Sequence, residues 1–304
     1  MPPERHLSED RLASPLKRLL LWGGAVGLSA LVLYVHVELR PTRPYEGTVE
    51  FAGKSQSYQL PREAQLFGPY RPDQLDPGTL IDLRFNGPMP PLEAAVLWRP
   101  YPSDEPLAAT PFQETRERVI RPGEQPEQWM TLVADIAPQP PGDRIAYAVS
   151  LTSEDKEIRL PSGEENVVLR QIGFVRQELE YPFQIAMLLM LVLGIRAGLT
   201  ALFDAEQLRR YAWVTFILAT VGGMTLRPFV QKAAYGAYWN GVPIGDELSD
   251  TWMLTIWIVW LVACLSLGGT RKQVSSTSRA LVVCAAGILC ALYPLPYKIP
   301  ELFQ

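Results

Sequence analysis

Five apolar runs punctuate this chain and leave one long polar stretch between the first and the second. That distribution suits a membrane-spanning protein with one sizeable water-exposed domain. The runs begin at or near Leu19, Pro182, Tyr211, Trp252 and Ala280. Each supplies about 16 to 22 residues, against the roughly 20 that cross a bilayer core. Flanking Tyr and Trp complete the shorter ones at the interface. From about Arg40 to Glu180 the sequence is instead polar and proline-rich. Composition alone hides this division, because a hydrophobic share of 48% over 304 residues is ambiguous until its distribution is followed.

The first run, LLLWGGAVGLSALVLYV from Leu19 to Val35, follows Lys17 and Arg18. A basic start before an apolar segment fits a cleaved signal peptide as well as an anchor. The run is longer than a usual signal core, and its end, LVLYVHVEL, offers no small-x-small cleavage site, so it reads as an uncleaved anchor. Basic residues orient the rest. Arg5, Arg11, Lys17 and Arg18 precede the first run, Arg209 and Arg210 lie between the second and third, and Arg271, Lys272 and Arg279 between the fourth and fifth. These segments share one side, which the positive-inside rule makes the cytoplasm. The expected layout is a cytoplasmic tail 1–18, an anchor 19–38, an exported domain 40–178, and further spans 182–203, 211–227, 252–268 and 279–295. An outer polar–aromatic loop 228–251 and an outer tail 296–304 complete it. The expected layout is that of a membrane protein with its N-terminus in the cytoplasm and its β-domain and C-terminus on the outer side.

Within the exported stretch the apolar residues alternate in short pieces. TLIDLRFNG, AAVLWRPYP, WMTLVADI, RIAYAVSL, KEIRLP and NVVLRQIGF each read as a strand with one apolar face. Turn clusters such as LDPG, RPGEQP, PQPPGD and LPSGEE separate them. The expected fold class is therefore membrane α-helical, with five transmembrane helices, plus an all-β exported domain of immunoglobulin- or fibronectin-like sandwich type. Roughly 130 residues suffice for one core.

Little in this composition points to chemistry. Glu114, Glu117, Glu124, Glu127 and Asp135 make a paired-carboxylate hydrolase conceivable. They fall mostly in proline-rich turns and on polar strand faces, where charges are ordinarily solvated. There is no G-x-S-x-G, no HExxH, no glycine-rich phosphate loop and no histidine in the domain to serve as a base. The two histidines, His6 and His36, flank the first run, and the three cysteines, Cys264, Cys284 and Cys290, fall in proposed spans. Neither a disulfide scaffold nor a zinc, haem or copper site of the usual ligands is expected, so no cofactor and no catalytic residue is assigned. The net charge of −4 and the lack of a basic stripe argue against nucleic acid.

One segment stands apart: TLRPFVQKAAYGAYWNGVPIGDELSDTW, Thr225 to Trp252, between the third and fourth runs. Pro228 disfavours a helical conformation at Arg227, so the third span should end there. VQKAAYGAYW then suits a short amphipathic helix in the interface, with Tyr235, Tyr238 and Trp239 at headgroup level. Gly241 and Gly245 let NGVPIG turn sharply. Asp246 and Ser249 are candidate N-caps of the fourth span, and Asp250 complements its dipole. The residues singled out for binding or partner contact are Arg227, Gln231, Lys232, Tyr235, Trp239, Asn240, Asp246 and Asp250. They fit a pocket for an anionic or polar ligand, a contact surface for a partner membrane subunit, or a self-satisfied ion-pair cluster seating the exported domain. Within the second span, Arg196 is an intramembrane charge, either functional or snorkelling to the headgroups with Asp204 and Glu206 nearby as partners.

RIAYAVSL leading into NVVLRQIGFV, LGIRAGLTALF, and LRPFVQKAAYGAYWNGVPIGDELSD together resemble a family of uncharacterised bacterial multi-pass membrane proteins. These share an N-terminal anchor, an exported β-domain and four further helices. The likeness runs from about Gly142 to Leu267, and relatives read close to GPxVQKxAFGxxWTGxPFGxDLTDNKT in the outer loop. Val230, Gln231, Lys232, Ala234, Gly236, Trp239, Gly241, Pro243, Gly245, Leu248 and Asp250 fit that pattern, with the acidic pair Asp246 and Glu247 where it carries its first aspartate. Thr251 and Trp252 stand where relatives often carry Asn and Lys. The second span opens PFQIAML where relatives tend to carry a histidine, so no metal or proton role of such a histidine is implied here. The resemblance implies a layout rather than an activity. The function expected is that of a non-enzymatic accessory or structural subunit of a larger membrane complex, with the lipid bilayer and membrane-protein subunits as partners. The alternative is a ligand-binding, sensor-like or transport-associated protein holding an anion through Arg227 and Lys232.

Overall fold

The computed structural model describes residues 6–38, 43–51, 54–65, 79–86, 93–119, 127–136, 139–153, 156–163, 165–203, 207–245, 247–267 and 277–292. The chain divides into two compact units. One is helical and comprises Met1–Pro41, Arg176–Lys232 and Ala237–Gln304. The other is built of strands and comprises Thr42–Val175 with Ala233–Gly236.

The helical unit contains α1 (His6–Glu38), α2 (Gln177–Phe203), α3 (Leu208–Leu218), α4 (Arg227–Tyr235), α5 (Leu248–Leu267) and α6 (Thr277–Leu292). Helix α1 starts well inside the segment expected to be a plain tail. Four helical stretches are long and apolar enough to cross a membrane: Pro15–Glu38, Gln177–Leu202, Leu208–Tyr235 and Leu248–Leu267. The fifth expected span corresponds to α6, whose apolar part, Leu281–Cys290, falls short of that length among the described residues.

Close backbone approach holds α2 to α6. Gly194 and Gly198, one turn apart on α2, face Gly287 of α6. A Cβ on Gly287 would sit 2.8 Å from the Gly194 oxygen and 3.1 Å from the Gly198 Cα. Small residues at such a crossing let two helices gain dispersion contacts where no hydrophobic drive exists. Trp260 of α5 is fully buried in the same core, and its indole N–H donates to Cys290 Sγ at 3.0 Å. Helix α1 joins along one stripe, with Leu21, Ala25 and Ser29 buried at every fourth position and Ala25 packed with Leu191 and Ile195 of α2.

The third span does not stop at Arg227. A π-helical stretch, Ala219–Leu226, follows α3, and the helix continues through Pro228 to Tyr235. Arg227 itself is right-handed helical (φ −53°, ψ −46°), and its N–H reaches back five residues to the Gly222 oxygen. The wider turns upstream give the pyrrolidine ring room beside the preceding carbonyls, which is how a proline is carried without ending a helix. Residues expected to open the outer loop are therefore helical, and only from Gly236 onward does the chain turn.

The strand unit holds β1 (Tyr45–Phe51), β2 (Lys54–Leu60), β3 (Glu63–Gln65), β4 (Thr79–Asn86), β5 (Glu93–Tyr101), β6 (Ala108–Pro111), β7 (Gln113–Val119), β8 (Glu127–Ile136), β9 (Arg144–Ser153), β10 (Lys156–Leu160) and β11 (Val167–Ile172). They form a two-stranded sheet β1-β2, a three-stranded sheet β4-β8-β7, and an open six-stranded mixed sheet ordered β3-β11-β9-β5-β6 with β10 also on β9. The sheets are not purely antiparallel, since β3 joins β11 in parallel. Strands β10 and β11 run the same way along β9, pairing with its second and first halves, so they act as one strand interrupted between Leu160 and Val167. Strand β9 is central: Ile145, Tyr147, Val149 and Leu151 enter the core, and Ala146 and Ala148 on its other face are buried too. That core also draws Tyr58 from β2 and Ile136 from β8, so all three sheets contribute to it.

The last turn of α4 groups with this unit. Gly173 N–H donates to the Ala234 oxygen at 2.8 Å, satisfying a carbonyl at the helix end, and Gly236 turns away with φ +79°. The Arg170 guanidinium carbon lies 4.0 Å from the centre of the Tyr235 ring.

Candidate functional site

The loop between α4 and α5 is organised around one carboxylate. Asp250, in the first turn of α5, is 1% exposed. Its Oδ1 accepts from Arg227 Nε at 2.9 Å and from Gln231 Nε2 at 3.1 Å, and lies 2.9 Å from Arg227 Nη2. Its Oδ2 accepts the backbone N–H of Asn240 at 3.0 Å. Arg227 is 7% exposed and also donates from Nη2 to Ser249 Oγ at 3.0 Å. Arg227 and Gln231 can reach the same carboxylate because, four apart on one helix, they lie on one face.

The rest of the loop closes over this centre. Glu247 N–H donates to the Asn240 oxygen at 2.8 Å, and Gly245 N–H to the Gly241 oxygen at 3.0 Å. Val242 N–H donates to Thr251 Oγ1 at 3.1 Å, and the Trp239 indole to the Gly241 oxygen at 3.0 Å. Gly241 must be glycine for a contact reason: a Cβ there would lie 2.7 Å from the Asp250 Cβ and 2.7 Å from the Thr251 nitrogen. Ser249 is not the N-cap of α5. The helix begins at Leu248 and Glu247 carries the first accepting carbonyl, taking Thr251 N–H at 3.2 Å, so Ser249 lies inside the first turn.

Of the residues singled out in the sequence, the structure thus unites Arg227, Gln231, Asn240 and Asp250, with Trp239 bracing the same loop. Lys232 points elsewhere, its Nζ 5.6 Å from the centre of the Tyr238 ring. Tyr235 belongs to the strand unit, under Arg170. Asp246 lies outside the described residues, as do Asp204 and Glu206. The outer faces of the loop and of α4 are apolar: Phe229, Tyr238, Val242 and Ile244 are each more than half exposed, and Phe229 and Tyr238 meet edge to face at 5.9 Å.

Arg196 is not a snorkelling side chain. It is 1% exposed and walled in by protein. Its guanidinium carbon lies 4.8 Å from the centre of the Tyr211 ring and 5.6 Å from that of Trp22. Those two rings meet at 81°, 5.9 Å apart. Nη1 donates to the Thr200 hydroxyl, which itself donates to the Arg196 carbonyl at 2.7 Å. Nothing in the local sequence pointed to Trp22 or Tyr211. They come from α1 and α3, and the only available hint was that aromatics favour the ends of spans.

A carboxylate that already accepts from three side-chain N–H groups and one backbone N–H is not placed to take a proton from a substrate or to ligate an ion. Among the described residues, no three His, Cys, Asp or Glu side chains cluster as a metal site. What the fold and this centre define is a chain with four helices fit to cross a membrane, a separate strand-built unit, and an interhelical loop locked by a buried ion pair.

No protein-family model and no curated protein matches the chain. Among solved structures it is similar to Astrotactin-2, a vertebrate-specific, perforin-like membrane protein involved in neuronal development, at 10% identity and a TM-score of 0.24. The alignment covers 79% of this chain but 38% of that one, and a likeness at this score carries no argument about fold or function.

Proposed function

We propose that this protein is a non-enzymatic accessory or structural subunit of a larger membrane complex, docking through its strand unit and the loop between α4 and α5. The observation that carries the reading is the internal satisfaction of the Arg227–Asp250 centre. The Arg227 charge that would have to hold an anion is already paired with Asp250, buried and hydrogen-bonded. What α4 and the loop offer outward is apolar and aromatic surface, Phe229, Tyr238, Val242 and Ile244. Aromatic anchors on a preorganised loop suit partner contact better than capture of a small polar ligand.

The finer picture belongs to the same proposal. The core that the three sheets share supports a sandwich-like exported domain. The distribution of basic residues supports an N-terminus in the cytoplasm with the domain and the loop on the other side, which in a bacterial inner membrane is the periplasm. The loop resembles the pattern VQKxAxGxxWxGxPxGxDLxD of a family of multi-pass membrane proteins, with Glu247 in place of its first aspartate, and this supports membership of that family. Gentle extraction followed by native mass measurement tests the function: a stoichiometric protein partner is expected, retained by the native chain and lost on Val242→Asp with Ile244→Asp. A lone monomer that gains thermal stability with a small anion, and loses that gain in Arg227→Ala, overturns it in favour of the ligand-binding alternative.

A further inference from the structure

One end of the main sheet is basic on its outer face. Val96 of β5, Ile145 and Tyr147 of β9, and Val167 and Leu169 of β11 belong to the buried core, and Trp98 packs against it. Side chains alternate along a strand, so the residues between these share the opposite face. There Tyr101 stands opposite Arg144, and Arg144 opposite Arg170, in one row across β5, β9 and β11. Arg99, two residues before Tyr101, is the diagonal neighbour of Arg144, about 7–8 Å away. Like charges directly opposite one another destabilise a sheet, so the pair Arg144 and Arg170 invites an anion. The row is open rather than enclosed: Arg144 is exposed, and Arg99 and Arg170 are half-buried. Among the described residues neither Arg99 nor Arg144 has a carboxylate partner, and Arg99 Nη1 donates to the Glu105 carbonyl at 3.2 Å. The acidic side chains nearest along the chain or the ladder are Glu63, beside Arg170 on the far side from Arg144, then Asp143, and Asp104 with Glu105 after β5. None of them is a lateral or diagonal neighbour of Arg144 in the ladder.

We propose that this row, Arg99, Arg144 and Arg170, binds the headgroups of anionic phospholipids. The level of the row selects that partner. The Arg170 guanidinium carbon lies 4.0 Å from the centre of the Tyr235 ring, and Tyr235 closes the apolar stretch Leu208–Tyr235 that is fit to cross a membrane. Gly173, three residues after Arg170, bonds the Ala234 oxygen of the same helical turn. A tyrosine at the end of a span belongs among the headgroups, so the guanidinium beside it stands at the depth of lipid phosphates. Tyr101, 46% exposed at the end of the row, adds another ring that is apolar in body and polar at its tip, which suits the same layer. The planar fork of arginine matches phosphate oxygens in pairs, and a basic row beside a membrane draws acidic lipids to it. An acidic protein segment would meet the same charges, but the span-end level favours the lipid. The inference does not rest on the accessory reading, which is tested through a protein partner at Val242 and Ile244.

The test places the full chain in phosphatidylcholine nanodiscs with and without phosphatidylglycerol, and reads thermal unfolding and lipid adducts in native mass spectra. The native chain is expected to gain thermal stability with phosphatidylglycerol. Arg144→Gln should weaken that binding about fivefold, which is the ~1 kcal/mol of one basic residue at an acidic surface, and Arg99→Gln with Arg144→Gln about 25-fold. Both effects should shrink as salt rises. Arg159→Gln should change nothing, because Arg159 lies on the same face opposite Ser150, about 20 Å along β9 from Arg144. A phosphatidylglycerol with a photoreactive headgroup should label the peptides around Tyr101 and Arg144. Should the double variant fail to fold, Arg144→Gln alone still reports, since that side chain is exposed. No gain with phosphatidylglycerol, an equal gain in Arg144→Gln, or labelling confined to the helical unit overturns the proposal. So does an acidic protein that co-isolates with the native chain and is lost from Arg144→Gln while lipid binding stays unchanged, because the row would then belong to a polypeptide.

Discussion

Replacing Asp250 by alanine removes the acceptor on which three residues converge, Arg227 and Gln231 from α4 and Asn240 from the loop. The side chains of Arg227 and Asp250 are 8% and 2% exposed, so water compensates neither once its partner is gone. Arg227 Nε, Gln231 Nε2 and the Asn240 N–H all lose their acceptor together. Breaking a buried ion pair from one side costs about 3–5 kcal/mol, which is roughly two to three and a half powers of ten in the folded fraction. Arg227→Met strands the carboxylate instead, but leaves it Gln231 and Asn240, so its cost belongs toward the low end of that range. Removing both charges, Arg227→Met with Asp250→Leu, should cost clearly less than the two single losses summed, with a coupling of about 2 kcal/mol. Reversible unfolding in mixed micelles measures all four corners of the cycle. The coupling should persist at high ionic strength, because buried pairs are little screened. Limited proteolysis near Trp239 should accelerate in Asp250→Ala, since Asn240 is no longer tied down. Additivity within about 0.5 kcal/mol would refute the reasoning, as would a coupling that salt abolishes.

Gly287→Ala should destabilise the helical unit by about 1–3 kcal/mol, because its Cβ meets the α2 backbone rather than a side chain that can swing away; an unchanged melting temperature in detergent would count against the close crossing. Gly142→Ala should cost more than Gly163→Ala. Both have positive φ, +93° and +121°, but a Cβ at 142 would also lie 2.4 Å from the Tyr235 oxygen whereas that at 163 meets nothing; paired thermal melts decide the order. Burial, with a smaller contribution from Tyr45, raises the Tyr58 phenol above its usual value, so the fold favours the neutral form. That contribution is fully present below the unfolded value near 10 and is lost as pH rises through the higher folded value. An alkaline melt series should therefore fall less steeply in Tyr58→Phe than in the native chain, and ultraviolet titration should show a late-ionising tyrosine that this substitution removes.

Much of the strand unit was legible because its signal is local. TLIDLRFN, EAAVLWRPY and RIAYAVSLTS alternate apolar and polar residues, and the structure makes each a strand, β4, β5 and β9. Strands β1 (YEGTVEF), β2 (KSQSYQL) and β7 (QETRERV) escaped notice, being polar along most of their length. Their register comes from a partner strand. Gly47 sits opposite Tyr58, and the phenol ring lies over the bare glycine, a contact with no trace in either heptapeptide. Parallel pairing of β3 with β11 joins segments about a hundred residues apart, which no local pattern encodes.

The apolar runs needed no partner to be recognised, because crossing a bilayer sets a length and a polarity that each segment meets alone. Their ends did need one. A rule about the residue before proline is local, and it placed a helix stop at Arg227 that the π turns of Ala219–Leu226 remove. In the outer loop, the sequence marked Arg227, Gln231, Asn240 and Asp250 as polar groups near one another along the chain. Which of them share a carboxylate, and which turn away as Lys232 and Tyr235 do, depended on α5 returning beside α4. Arg196 makes the same point more sharply. Its place within a span was plain from the residues, but whether its charge meets headgroups or aromatic walls was decided by Trp22 and Tyr211, brought from two other helices. Hydrophobic length is a property of one segment, whereas the compensation of a buried charge is a property of everything packed around it.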